Sequence, residues 1–99
     1  MPDRSGWWGW SGRGTAHARF LRSAFKHGLT ESDIQWVLDN PNYFGPRTSR
    51  YGNPGQLIVG PTQWGMVEVF TEMDPSTGEV IVYHARPVSF RAARRYMGR

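Results

Sequence analysis

Cysteine is absent from this chain, lysine occurs once, and no apolar run approaches the ~20 residues that a membrane-spanning helix needs. The lack of cysteine excludes disulfides and thiolate metal sites, and it is typical of a cytoplasmic protein. The N-terminus has no continuous apolar segment of the kind found in secretory signal peptides. We therefore expect a cytoplasmic protein that does not enter a membrane.

The length of 99 residues suits one domain and leaves little room for two. Residues 1–14 are rich in glycine and tryptophan and have no periodicity, which predicts a flexible arm. Residues 15–99 are then a single domain. The tryptophans of the arm can pack onto this domain or stack on the bases of a partner, and the sequence leaves both readings open.

Positive charge is concentrated in particular segments. The net charge is +4, eleven of the twelve basic residues are arginine, and the last sixteen residues hold five arginines and no acid. Arginine forms bidentate contacts with phosphates and carboxylates more readily than lysine does. This segregation predicts a polyanion partner on one surface, although an acidic protein partner fits it as well.

Two helices are predicted in the first half of the chain. Thr15 can cap a helix over residues 16–26 that carries a basic stripe. The stretch TESD, which begins at Thr30, has the shape of a capping box and predicts a second helix that ends before Pro41.

The second half changes to the period of a β-strand. A long edge strand carrying Arg47, Arg50 and Tyr51 is followed by three shorter strands, and a helix is predicted over residues 88–97. Pairing across the last hairpin is expected to set Val67 opposite His84. We therefore predict an α+β fold, with two N-terminal helices packed on a small, mainly antiparallel sheet of about four strands and a C-terminal helix.

Arg86 and His84 are the first candidates for chemistry. Arg86 follows a strand end and precedes Pro87, where a side chain can project into a cleft and hold a phosphate. Pairing of a surface Arg86 with Glu68 or Asp74 is the structural alternative. His84 can serve as a base or acid beside it, because histidine titrates near neutral pH, or it can be a strand-end residue with no chemical role.

Further arginines are candidates for RNA binding. Arg47 and Arg50 can contact phosphates while Tyr51 stacks on a base, or these residues can protect an edge strand with charge. Three arginines of the terminal helix can bind RNA phosphates or an acidic protein segment, or can form a solvated helix face: Arg91, Arg94 and Arg95. No metal or cofactor is expected, since the histidines are scattered and no phosphate-binding loop motif occurs.

Several short motifs resemble one bacterial family. KHGLTESDIQWVLDNP (26–41), VEVFTE (67–72), VIVYHAR (80–86) and RRY (94–96) are similar in order and spacing to the BrnT-type toxins of toxin–antitoxin pairs, over residues 16–97. Those toxins are small RelE-like ribonucleases. The resemblance implies a RelE-like fold and a cytoplasmic toxin that is neutralised by a cognate antitoxin protein.

The resemblance also implies roles for individual residues. Lys26 lies in the Lys-His-Gly turn of the family and can contact phosphate. Glu72 matches the strand-end glutamate, which can orient Arg86 or act as a base, and a simple salt bridge in the turn is the alternative. Met73 and His84 stand where the family has arginine and serine. We expect a metal-independent endoribonuclease that cleaves RNA by attack of the 2′-OH. The alternatives are a non-catalytic nucleic-acid-binding module and a protein-interaction module that docks an acidic partner.

Overall fold

The computed structural model describes residues 18–97, so the arm predicted over residues 1–14 lies outside the described residues. The sheet has five strands, which are β1 (Arg19–Phe20), β2 (Tyr43–Pro46), β3 (Gly55–Thr62), β4 (Gly65–Met73) and β5 (Val80–Pro87). The helices are a 3-10 helix (Arg22–Phe25), α1 (Glu31–Asp39) and α2 (Phe90–Met97). Within this part of the chain, no helix is long and apolar enough to cross a membrane.

The strands form one mixed sheet in the order β1-β5-β4-β3-β2. The β1–β5 pair is parallel, and the other neighbouring pairs are antiparallel. A tight turn joins β3 to β4, where Thr62 pairs with Gly65 and its hydroxyl accepts a hydrogen bond from the backbone N–H of Trp64. Short connections of this kind explain why the β2–β3, β3–β4 and β4–β5 pairs are antiparallel.

The prediction of two N-terminal helices is wrong. Where the pattern predicts a helix over residues 16–26, the described residues form β1 and the 3-10 helix. Arg19 and Phe20 pair with the start of β5, and the backbone N–H of Leu21 donates to the carbonyl of Val82. In a helix these backbone groups would bond to residues three or four positions away, whereas here they bond to β5. Long-range pairing of this kind outweighs the local preference of the segment for a helix.

Residues 18–97 therefore form a small α+β arrangement with a five-stranded mixed sheet and two α-helices. It is not the RelE-like arrangement that the sequence predicts, because one α-helix precedes the main strands and the sheet has gained a parallel edge strand.

Helix α1 begins where the capping-box pattern predicts. The Thr30 hydroxyl accepts a hydrogen bond from the backbone N–H of Asp33, and the Asp33 carboxylate accepts one from the backbone N–H of Thr30. Leu29 and Ile34 are both buried in the same core cluster, as the two ends of a hydrophobic staple should be. Burial of a side chain such as Ile34 contributes about 1.5–3 kcal/mol, which holds this short helix on the sheet.

The two α-helices lie on opposite faces of the sheet. The larger cluster joins α1 to side chains such as Val69 and Val82. The smaller cluster joins Ala93 of α2 to Leu57 and Val59 of β3, which alternate with the residues of the larger cluster. One face of β4 and β5 therefore contacts the main core, while the other is only partly covered by α2.

The register of β4 and β5 differs from the prediction. His84 lies opposite Phe70 rather than Val67, and the ladder skips Tyr83 between Phe70 and Thr71. A register that differs by an odd number of residues places side chains on the other face of a sheet. His84 therefore lies on the α2 face, and the extra residue forms a β-bulge of the kind that re-aims side chains.

The long edge strand is also shorter than predicted. Strand β2 ends at Pro46, and the segment 47–54 is a loop, so Arg47, Arg50 and Tyr51 lie on a loop rather than on a strand. The last hydrogen bond of this pair runs from the backbone N–H of Arg47 to the carbonyl of Gly55, and Pro46 is tolerated before it because β2 is an edge strand.

Candidate functional site

A groove of about 470 Å³ opens on the α2 face of the sheet beside the loop 47–54. The 3-10 helix and its flanks, the loop and two strands line it, through Leu21, Ser23, Lys26, Arg47, Ser49, Arg50, Tyr51, Phe70, Glu72, Tyr83 and His84. The lining combines three cationic side chains, one carboxylate, one imidazole and three aromatic rings. Cations and aromatic rings together are what a single-stranded nucleic acid requires of a binding groove.

Ser49 holds the loop in shape at the rim of this groove. Its buried hydroxyl accepts hydrogen bonds from the backbone N–H groups of Tyr51 and Asn53, each at 3.2 Å. Gly52 takes a φ of +85°, a left-handed conformation that glycine adopts without a steric penalty. The turn leaves Arg50 and Tyr51 exposed, with the guanidinium carbon of Arg50 5.9 Å from the centre of the Tyr51 ring.

The ring of Phe70 contacts both a guanidinium group and an imidazole. The guanidinium carbon of Arg47 lies 4.2 Å from the centre of the Phe70 ring, which is cation–π distance. The imidazole of His84 lies 4.3 Å from the same centre and is inclined by 31°. The bulge also sets Tyr83 against Phe70, with ring centres 6.1 Å apart. Phe70 therefore contacts both a cation from the loop and the imidazole from β5.

Glu68 joins the two residues that the sequence marks as the first candidates. Its carboxylate atom Oε2 lies 3.1 Å from Nε2 of His84 and 3.0 Å from a terminal nitrogen of Arg86. The Glu68 side chain is only 3% exposed, whereas that of Arg86 is 53% exposed. A buried carboxylate is tolerated where cationic or hydrogen-bonding partners compensate its lost hydration. Glu68 thus fixes the orientation of the imidazole and occupies one edge of the guanidinium.

A second histidine lies beside the first. The rings of His27 and His84 meet edge to face, with centres 5.7 Å apart. The turn that carries Lys26 and His27 ends at Gly28, whose φ of +89° reverses the chain toward α1. Two imidazoles at this separation can serve one reacting centre, one as base and the other as acid.

Among the described residues that line the groove, Glu72 contributes the single carboxylate. Its atom Oε1 is buried, and no described residue forms a hydrogen bond to it. The ion pair that the structure describes for Arg86 is with Glu68, so orientation of Arg86 by Glu72, as the resemblance implies, does not occur. A buried carboxylate oxygen without a donor carries a free-energy cost that a bound donor group relieves.

The predicted site residues divide into three groups. The groove brings together the larger part of them, namely Lys26, Arg47, Arg50, Tyr51, Glu72 and His84. Arg86 is outside the groove lining and is linked to it through the Glu68 carboxylate that it shares with His84. The third group lies exposed on α2 and, within the described chain, does not line this groove: Arg91, Arg94 and Arg95.

Phe70 contributes to the site and was not predicted from the sequence, whereas Glu68 was expected as one of two possible partners of Arg86 and does pair with it. Phe70 lies in an alternating strand pattern that predicts a core residue. Its contact with Arg47 of the loop makes it part of the groove wall. His27 lies next to Lys26 in the family turn but gives no sign in the sequence of its contact with His84.

Metal ligands do not cluster in the described chain. Among residues 18–97, no three histidine, aspartate or glutamate side chains lie together in an arrangement that can hold a metal ion.

Comparison of the chain with protein-family models and with curated proteins finds no match. The resemblance to BrnT-type toxins therefore depends on the quoted motifs alone.

Proposed function

We propose that the groove binds single-stranded RNA and that the protein is an endoribonuclease which cleaves this RNA without a metal ion. The observation that carries the proposal is His84, held by the buried carboxylate of Glu68 at the wall of a cationic and aromatic groove. A histidine fixed by a carboxylate is a common arrangement for proton transfer in enzymes.

Binding is assigned to the loop and the turn that border the groove. Lys26, Arg47 and Arg50 supply positive charge for successive phosphates. Tyr51 is 77% exposed, so one face of its ring is accessible to a base. Sequence-tolerant stacking on such a ring, together with phosphate contacts, gives affinity for unpaired RNA rather than for a duplex.

The reaction needs three functions, and described side chains can provide each of them. The 2′-oxygen attacks the adjacent phosphorus, the 2′-O–P bond forms, and the P–O5′ bond breaks. A base takes the 2′ proton, an acid protonates the departing 5′-oxygen, and cations stabilise the charge on the phosphorane. The products are a 2′,3′-cyclic phosphate and a 5′-hydroxyl end.

The two histidines are the groups that move protons in this proposal. Glu68 engages Nε2 of His84, which leaves Nδ1 as the nitrogen that exchanges a proton with the substrate. His27, 5.7 Å away between ring centres, is the second proton-transfer group. Lys26 and Arg47 stabilise the phosphorane charge. Arg86 is a positioning residue here, because its ion pair balances the charge of Glu68.

A toxin role, with a cognate antitoxin as partner and the cytoplasm as location, belongs to the same proposal. It is supported by the motifs that resemble BrnT-type toxins. The exposed arginines of α2 offer a surface of suitable charge for an acidic antitoxin segment: Arg91, Arg94 and Arg95.

A non-catalytic RNA-binding module is the second candidate. The observation that favours it is the Arg86–Glu68 ion pair, because it engages the arginine that the resemblance implies for phosphate contact. Such a module has the same groove and the same salt-dependent affinity, but it leaves RNA intact.

A cleavage assay on unstructured RNA in the presence of EDTA separates the two candidates. We expect the wild type to cut, and His84→Gln to cut at least ~100-fold more slowly while binding RNA as before. Glu31→Gln, an exposed change on α1 outside the groove lining, serves as the control and should cut normally. Equal cutting by His84→Gln and the wild type would remove His84 from the mechanism, and binding without cutting by the wild type would favour the second candidate.

A further inference from the structure

One acceptor atom in the groove has no donor. Oε1 of Glu72 is shielded from solvent and has no hydrogen-bond partner among the described residues, and its side chain lines the groove, so rotation of the carboxylate is what brings this oxygen to a ligand. A buried carboxylate oxygen without a hydrogen-bond donor raises the free energy of the unliganded protein. A ligand that donates an N–H or O–H group to Glu72 removes this cost and should bind more tightly than a ligand without such a donor. The groove is therefore selective for a donor at this point.

The rest of the lining restricts what kind of molecule carries that donor. Lys26, Arg47 and Arg50 give the groove an excess of positive charge over the single carboxylate, which favours an anionic ligand. Tyr51 and Tyr83 contribute aromatic rings, which favour a planar group. A ligand that combines an anion, a planar ring and hydrogen-bond donors on the ring edge is a nucleotide.

Among the four RNA bases, guanine matches a carboxylate best. Its Watson–Crick edge presents two adjacent donors, N1–H and the N2 amino group, which can meet both oxygens of one carboxylate. Adenine and cytosine place a ring acceptor beside their amino group, and uracil places carbonyl acceptors on both sides of its single N–H. Bases in single-stranded RNA are commonly distinguished by hydrogen bonds to this edge.

We propose that Glu72 makes the groove a guanine-selective nucleotide site, with the guanine edge on the Glu72 carboxylate and the phosphate on the cationic rim. The inference rests on the proposed function, since it names the base that the same RNA groove prefers. It gives Glu72 a role in specificity rather than in proton transfer. Each well-formed bidentate contact of this type discriminates between bases by on the order of tenfold or more.

Calorimetric titration of the full chain with the four nucleoside 3′-monophosphates tests the site directly. We expect guanosine 3′-monophosphate to bind at least about tenfold more tightly than the other three. Glu72→Gln replaces one acceptor by a donor, so it should lose the guanine preference while it retains binding of the shared phosphate. Glu31→Gln makes the same chemical change at an exposed position on α1 and should keep the preference.

Equal affinity for all four nucleotides, no binding of any of them, or an unchanged guanine preference in Glu72→Gln would each overturn the inference. Cleavage assays report separately on the proposed function. RNA cutting without a guanine preference in binding would leave the ribonuclease and remove the guanine site. A guanine preference that depends on Glu72, in a protein that does not cut RNA, would keep the site and remove the catalytic proposal.

Discussion

His84 and Glu68 lie on neighbouring strands of the sheet, and their side chains meet at 3.1 Å between Nε2 and Oε2. The imidazole is 24% exposed while the carboxylate beneath it is 3% exposed. The buried carboxylate therefore holds the inner edge of the imidazole and leaves its outer edge open to the groove. The predictions that follow depend on this arrangement and on the loop that borders it.

Glu68→Gln should lower the catalytic rate more than it lowers affinity. The glutamine keeps the shape of the side chain but removes the charge that orients His84 and balances Arg86. At metal sites, loss of the partner that orients a histidine costs about 10–100-fold in activity, and we expect a cost of the same order for His84. We expect kcat to fall by that factor, with KM changed less than about threefold, in steady-state cleavage of a labelled RNA.

The same substitution should lower the free energy of unfolding by about 1–3 kcal/mol, because it weakens charge-assisted hydrogen bonds to a buried group. Urea denaturation of Glu68→Gln and of the control Glu31→Gln measures this loss. A KM that rises while kcat stays at the wild-type value would show that Glu68 contributes to binding instead of orienting His84.

Arg47→Ala should weaken RNA binding and reduce its dependence on salt. The guanidinium lies over Phe70 at the groove and is assigned to a phosphate. Each lost phosphate contact lowers the slope of log affinity against log salt concentration by about 0.7 for a single strand. Fluorescence anisotropy between low and moderate salt measures the slope.

Arg22→Ala is the matched control for Arg47→Ala. Arg22 is exposed on the 3-10 helix and does not line the groove within the described chain, so the slope should stay at the wild-type value. Equal loss of slope in both variants would indicate diffuse attraction to the whole surface rather than a contact in the groove.

Tyr51→Ala should reduce the affinity for single-stranded RNA by about 1–3 kcal/mol, which is the usual contribution of one stacked base. The ring is 77% exposed, so its removal should leave the free energy of unfolding nearly unchanged. Trp64→Ala removes an aromatic ring of similar exposure, 76%, outside the groove and should bind RNA normally. A larger loss from Trp64→Ala than from Tyr51→Ala would place the RNA on another surface.

Asp74, in the turn between β4 and β5, should make a small contribution to the free energy of unfolding that is lost in acid. Hydrogen bonds from the hydroxyl and the backbone N–H of Ser76 hold the pKa of the Asp74 carboxyl below its ordinary value of 3.8. Because the pKa is lower in the folded state, this contribution is complete above pH 3.8 and is lost as the pH falls through the folded-state pKa.

Ser76→Ala removes the hydroxyl donor that contributes most to this effect. We expect a slightly lower Tm at neutral pH and a smaller difference between variant and wild type at pH values below the folded-state pKa of Asp74. Thermal unfolding across this pH range checks the sign. A difference in Tm that grows as the pH falls would contradict the assignment.

Local signals in the sequence predicted what is locally determined. The start of α1 depends on hydrogen bonds between Thr30 and Asp33, three residues apart, and the pattern TESD was sufficient to locate it. The helix predicted over residues 16–26 was wrong because the backbone N–H of Leu21 and the side-chain hydroxyl of Ser23 donate to the carbonyls of Val82 and Tyr83, about sixty residues away in the chain. No pattern within the segment records that partner.

In the candidate site, too, the sequence predicted residue types but not long-range contacts. Residue types predicted Lys26 and His84 as candidates, and both line the groove. The contacts of Arg86 and His84 depend on the register between β4 and β5. The bulge at Tyr83 shifts this register, and the alternation of apolar and polar residues along the strands does not predict a bulge. Pairing of Glu68 with Arg86 was one of the alternatives that the sequence left open, but the contact of Glu68 with His84 depends on how β4 is paired with β5.

The most direct test of the central claim is analysis by mass spectrometry of the RNA ends formed by the wild-type protein in EDTA. The account predicts 2′,3′-cyclic phosphate and 5′-hydroxyl ends from an all-ribose oligonucleotide, and no cutting of the same sequence with 2′-O-methyl groups. Bound but intact ribose RNA, or equal cutting of both oligonucleotides, would contradict the mechanism.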